Sequence, residues 1–179
     1  MDTATAERLV TSAVPADFRA RRIPRLGARA RKVTLLIHLA SAAAWLGMDV
    51  VLGVLVVGGL GATPQVASAM AVAIGTFIGW PIVAVALLTL GSGVVLALGS
   101  KYGLLRTWWV IVKLVLTLVL IVLVLVVLVP SVAELATEAG TPGDRFTLDQ
   151  QMLFPPIVSS SALLFAMALS VIKPWGRRR

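Results

Sequence analysis

Cysteine is absent from the 179 residues, histidine occurs once, and acidic residues number eight. The first absence excludes disulfides and thiolate metal sites. A lone histidine leaves no His and carboxylate pair at the spacing zinc needs. Charge is scarce as well: 13% of residues are charged, 59% are hydrophobic and the mean hydropathy is +0.97, values that exclude a soluble globular domain. No glycine motif for phosphate and no nucleophile with its own base is present. Met48, Met70, Met152 and Met167 are scattered rather than arrayed for copper, which suits gap filling.

What the chain has in abundance is long apolar runs. Four of them, residues 33–57, 66–98, 108–129 and 153–172, are long enough to cross about 30 Å of hydrocarbon at about 1.5 Å per residue. Backbone groups in lipid must be satisfied internally, and no alternating strand pattern points to a barrel. The expected fold is therefore all-α, a four-helix transmembrane bundle. Residues 1–32 form a basic arm with a short amphipathic helix near 16–22, residues 33–175 the bundle, and residues 176–179 a basic tail.

The net charge of +8 invites a nucleic-acid partner, but the distribution of charge argues for membrane surface. Of 16 Lys and Arg, eight precede the first run, Lys101 and Arg106 flank the turn between the second and third, and Lys173, Arg177, Arg178 and Arg179 close the chain. Only Arg145 falls in the loop before the fourth run, beside Glu134, Glu138, Asp144 and Asp149. The positive-inside rule then places both termini in the cytoplasm. Anionic lipid head groups are the expected partners of the basic ends, at about 1 kcal/mol per charge near the surface. The location this implies is a membrane bordering the cytoplasm, crossed several times.

The connecting segments have their own signals. Gly58, Gly59, Gly61 and Pro64 mark an external turn, and the second run, longer than a bilayer needs, calls for tilt, a kink at Pro81 or an extramembrane turn. Tyr102, Trp108, Trp109 and Trp175 are placed as interfacial anchors. After Pro130, Ser131 and Glu134 resemble a capping box opening a separate short helix over residues 132–139. Ala67, Ala71, Gly75 and Gly79, four apart, make a small-residue stripe for close packing within one chain or in a homodimer.

Three ionisable residues interrupt the apolar runs, and each is a functional-site candidate because burial in hydrocarbon is expensive. His38, Trp45 and Asp49 fall on one helical face, but His38 and Asp49 are about 16 Å apart along the axis. They define two levels. Near the cytoplasmic side, His38 and Lys113 lie at the depth of Thr89, Ser92 and Ser170. Farther out, Asp49 lies at the depth of Trp80, Pro81 and Ser159 to Ser161. The candidate ligand-binding residues are His38, Trp45, Asp49, Trp80, Ser92 and Lys113. Blander roles stand beside these: Lys113 snorkels toward its helix N-terminus, His38 bridges helices as a neutral imidazole, and Asp49 serves as a structural acid.

His38, Trp45 and Gly47, the stretch from Trp80 and Pro81 to Gly93, Trp109 with Lys113, and the closing Ile172, Lys173, Pro174 and Trp175 together resemble a group of small bacterial membrane proteins of unknown function. The pattern is more distantly similar to the membrane domain of copper-resistance protein D and to the bacterial four-helix protoporphyrinogen oxidase. The oxidase resemblance implies haem or tetrapyrrole chemistry at His38 and Lys113. After Gly47 this chain runs Met48, Asp49, Val50, Val51 and Leu52, where the oxidase carries arginine and histidine. Three functions follow as expectations: a non-enzymatic membrane protein whose polar interior binds a small ligand or supports a membrane partner, a haem-binding or redox protein using His38 and Lys113, and a proton-coupled transporter subunit using Asp49.

Overall fold

The computed structural model describes residues 26–99, 107–140 and 146–172. The arm helix near residues 16–22, Tyr102, Arg145 and the closing Lys173 to Trp175 lie outside them. Four helical spans are long and apolar enough to cross a membrane: Ala28–Gly59, Pro64–Leu98, Trp108–Ala139 and Gln150–Ile172. The first is one helix, α1 (Ala28–Gly59). It begins ahead of the expected residue 33, so Arg29, Arg31 and Lys32 ride exposed on its first turns. Helical backbone carries long basic side chains without cost where their heads reach water.

The second span is broken into α2 (Pro64–Ile78) and α3 (Trp80–Leu98) at Gly79, whose ψ of −104° lies outside the helical region. The interruption falls two residues before Pro81, whose ring occupies the second position of α3, where its missing N–H disrupts least. The third span runs α4 (Trp108–Leu123), a π-helical turn (Val124–Leu128) and α5 (Val129–Ala139) without a gap. The expected end at Pro130 and the separate capped helix after it are thus not found, and no side chain caps α5. Proline lacks the N–H for the carbonyl four residues back and its ring crowds that carbonyl. The wider π turn just ahead absorbs both effects and lets the helix continue. Asp149 accepts a hydrogen bond from the Gln151 amide at 2.9 Å at the start of a 3₁₀ turn (Gln150–Leu153), which leads into α6 (Phe154–Ile172).

Each span packs against the next, and α1 also packs against α6, so the four spans close into a square up-and-down bundle. Three contacts fix the register. His38 meets Thr89 and Ser92, and Lys113 meets Ser170, near the end formed by Ala28 and Ile172. Ser68 donates to the Ala139 carbonyl at 2.6 Å at the opposite, far end, satisfying a backbone oxygen that the end of α5 leaves without a helical donor.

Lipid offers no hydrophobic gain for burying one apolar chain against another, so close packing holds such bundles together. The small-residue stripe does this within the chain. Ala67 and Ala71 are fully buried, and a Cβ on Gly75 would stand 2.7 Å from Ala136 Cβ, so only glycine lets α2 and α5 approach this closely. Gly61, at φ +69°, turns the chain between the first two spans. The core runs through Trp45, Leu52, Val56, Ile74, Ile78, Ile82 and Val132. The outward face is apolar too, with Leu36, Val54, Val126, Phe154 and Ile172 among its exposed residues, as a lipid-facing surface requires.

Candidate functional site

Two polar levels are built inside this frame. In the near level, His38 Nδ1 lies 3.0 Å from the Thr89 carbonyl oxygen and 3.1 Å from Ser92 Oγ. A carbonyl can only accept, so Nδ1 carries a proton and donates it. Ser92 in turn gives its own proton to the Leu88 carbonyl at 2.6 Å, which leaves its oxygen free to accept from the imidazole. In the neutral ring the lone pair therefore sits on Nε2. Gly93 seats the ring: a Cβ there would lie 3.1 Å from His38 Cε1.

Lys113 completes the same level. Its ammonium donates to Ser170 Oγ at 2.9 Å and lies 4.7 Å from the centre of the Trp109 ring, one turn back along its own helix. Side chains on a helix lean toward its N-terminus, which brings residues four apart into contact. Lys113 is also within electrostatic reach of His38. Residues of all four spans thus meet at one height: His38, then Thr89 with Ser92, then Trp109 with Lys113, then Ser170.

The far level is more deeply buried and less completely bonded. Asp49 is 2% exposed, Trp45 0% and Ser159 7%. Ser159 of α6 lies within hydrogen-bonding reach of the Asp49 carboxyl. Neither Asp49 Oδ2, Ser159 Oγ nor Trp45 Nε1 has a hydrogen-bond partner among the described residues. Ser161, at the same expected depth, instead turns its hydroxyl back to the Ile157 carbonyl at 2.7 Å.

Of the six residues singled out in the sequence, His38 and Ser92 are in contact, Lys113 stands at their level, and Trp45 and Asp49 form the far level. Trp80 joins neither, being 78% exposed. The reason is angular: Ile78 and Ile82 face the core with no exposure, and a residue two positions from each points to the opposite side. Gly93, which seats the His38 ring, and Trp109, expected only as an interfacial anchor, belong to the near level as well. Their signals were the four-residue spacings Thr89 to Gly93 and Trp109 to Lys113.

Among the described residues no three His, Asp or Glu side chains come together as a group able to hold a metal ion. Fold and interior define a multi-pass, four-helix membrane protein with a polar, hydrogen-bonded interior around His38. Comparison with family models, with curated proteins and with solved structures finds no match for this chain.

Proposed function

We propose that the chain is a non-enzymatic protein of the bacterial inner membrane, with both ends in the cytoplasm, whose near polar level binds a small ligand. The carrying observation is that all four spans supply a polar group to one height, His38, Ser92, Lys113 and Ser170, inside segments otherwise apolar. Packing alone does not call for this convergence, since polar groups in lipid are costly wherever they lie. With fourteen of its 16 basic residues in the segments at this end, the positive-inside rule turns it toward the cytoplasm. A ligand with a hydrogen-bonding or anionic group and an apolar body matches the imidazole nitrogen, the ammonium and the lipid-like walls. The test is organic extraction and mass spectrometry of protein purified in lipid nanodiscs. One compound carried by the wild type and lost from both His38→Ala and Lys113→Met supports binding, whereas identical extracts from all three remove it and leave partner support as the role of the level.

The fixed proton on Nδ1 favours one second reading, haem binding. Metal-bound histidines commonly donate their other N–H to a carbonyl, which orients the ring and keeps the lone pair on the far nitrogen. His38 meets that requirement through Thr89. Here His38 would supply a nitrogen ligand and Lys113 a positive charge for the tetrapyrrole carboxylates, while the bound group would supply redox chemistry. A Soret band in protein from haem-replete cells, lost in His38→Ala, supports this reading. A colourless wild type opposes it.

A further inference from the structure

The far level stands apart from the near one and has a chemistry of its own. A carboxyl oxygen buried among apolar helices without a donor or counter-charge is among the least favourable arrangements a membrane interior allows. Asp49 Oδ2 is such an atom, and it is accompanied by the bondless Ser159 Oγ from another span. The Ser159 hydroxyl is within hydrogen-bonding reach of the carboxyl, yet neither Oδ2 nor Oγ has a partner of good hydrogen-bond geometry. Two buried oxygens, one from α1 and one from α6, thus lie close together.

The backbone at the same height is also interrupted. His38 meets Thr89 and Ser92, so eleven residues farther along α1, at Asp49, the antiparallel second span has reached about residues 78–81. That is the break at Gly79, and Pro81 has no N–H to offer the Phe77 carbonyl four residues back. Interrupted membrane helices beside a buried acid are a recurring setting for small cations, because carbonyl and carboxylate oxygens together replace the hydration shell.

We propose that Asp49 and Ser159 hold a small inorganic monocation in the far half of the bundle. The single carboxylate balances one positive charge, and a divalent ion would leave an excess buried in lipid. Ser159 supplies a second oxygen. The indole N–H of Trp45, one turn along α1 from Asp49, donates only, so it suits a water kept on the ion rather than the ion itself.

Thermal unfolding of the full-length protein in zwitterionic nanodiscs tests this, with sodium, potassium and choline chlorides compared at equal ionic strength. Sodium or potassium is expected to raise Tm above choline by about 3 °C or more as the site fills. Asp49→Asn is expected to abolish the gain, and Ser159→Ala to raise the half-effect concentration about fivefold through loss of one ligand oxygen. Equal Tm in all three salts for the wild type overturns the proposal, as does an undiminished gain in Asp49→Asn. Should that variant fail to fold, Ser159→Ala decides: an unchanged half-effect concentration overturns the proposal and a raised one supports it.

Discussion

The near and far levels use similar side chains and differ in how they are bonded. His38 is half-buried, yet its ring proton is shared between two acceptors, and Lys113 is held by a hydroxyl and an aromatic face. Asp49, Trp45 and Ser159 are deeper, yet each leaves a polar atom without a partner. Burial alone therefore does not say which polar group serves the fold. A bonded group contributes to packing and is missed when removed, whereas an unbonded one burdens the fold unless something else binds it.

The largest effect that sharpens this contrast is expected from Gly93→Leu. A side chain there displaces the His38 ring, and thermal unfolding should show a loss of about 2 kcal/mol. Gly91→Leu is its control, because a Cβ at Gly91 meets nothing within 4 Å, and it should melt with the wild type. A smaller effect is expected for His38→Ala, which removes the link to Thr89 and Ser92 and should cost about 1 kcal/mol in the same assay, in keeping with hydrogen bonds between membrane helices. Smallest is Lys113→Met, where the ammonium gives up one exposed hydrogen bond and one ring contact for about 0.5 kcal/mol or less. If ligand extraction shows loss of the bound compound while the melt barely moves, Lys113 serves the ligand more than the fold.

The same contrast shows how much was legible in the residues themselves. Length and hydropathy suffice for four spans, because crossing lipid leaves the backbone few alternatives. Depth counting suffices to set His38 beside Thr89 and Ser92 and Lys113 beside Ser170, since rise per residue is nearly constant along a helix. Counting gives height but not direction, and Trp80 is the instance: it has the depth of Asp49 and the opposite face. Nor did counting expose the continuous third span. Pro130 carries a strong local stop signal, but the π turn before it is a backbone adjustment with no residue signature in Val124–Leu128. Which hydroxyls close a bond, Ser170 but not Ser159, depends on helix rotations of a few degrees that periodicity does not resolve.

The most direct measurement of the central claim, a bonded near level against an unbonded far one, is the melting of His38→Ala and Asp49→Leu side by side in nanodiscs in choline chloride. Opposite signs are expected: His38→Ala melts below the wild type, while Asp49→Leu melts with it or above it by an amount on the order of 1 kcal/mol, because an unsatisfied carboxyl has been replaced by an apolar side chain of similar size. An Asp49→Leu variant that falls as far as His38→Ala or farther would contradict the claim.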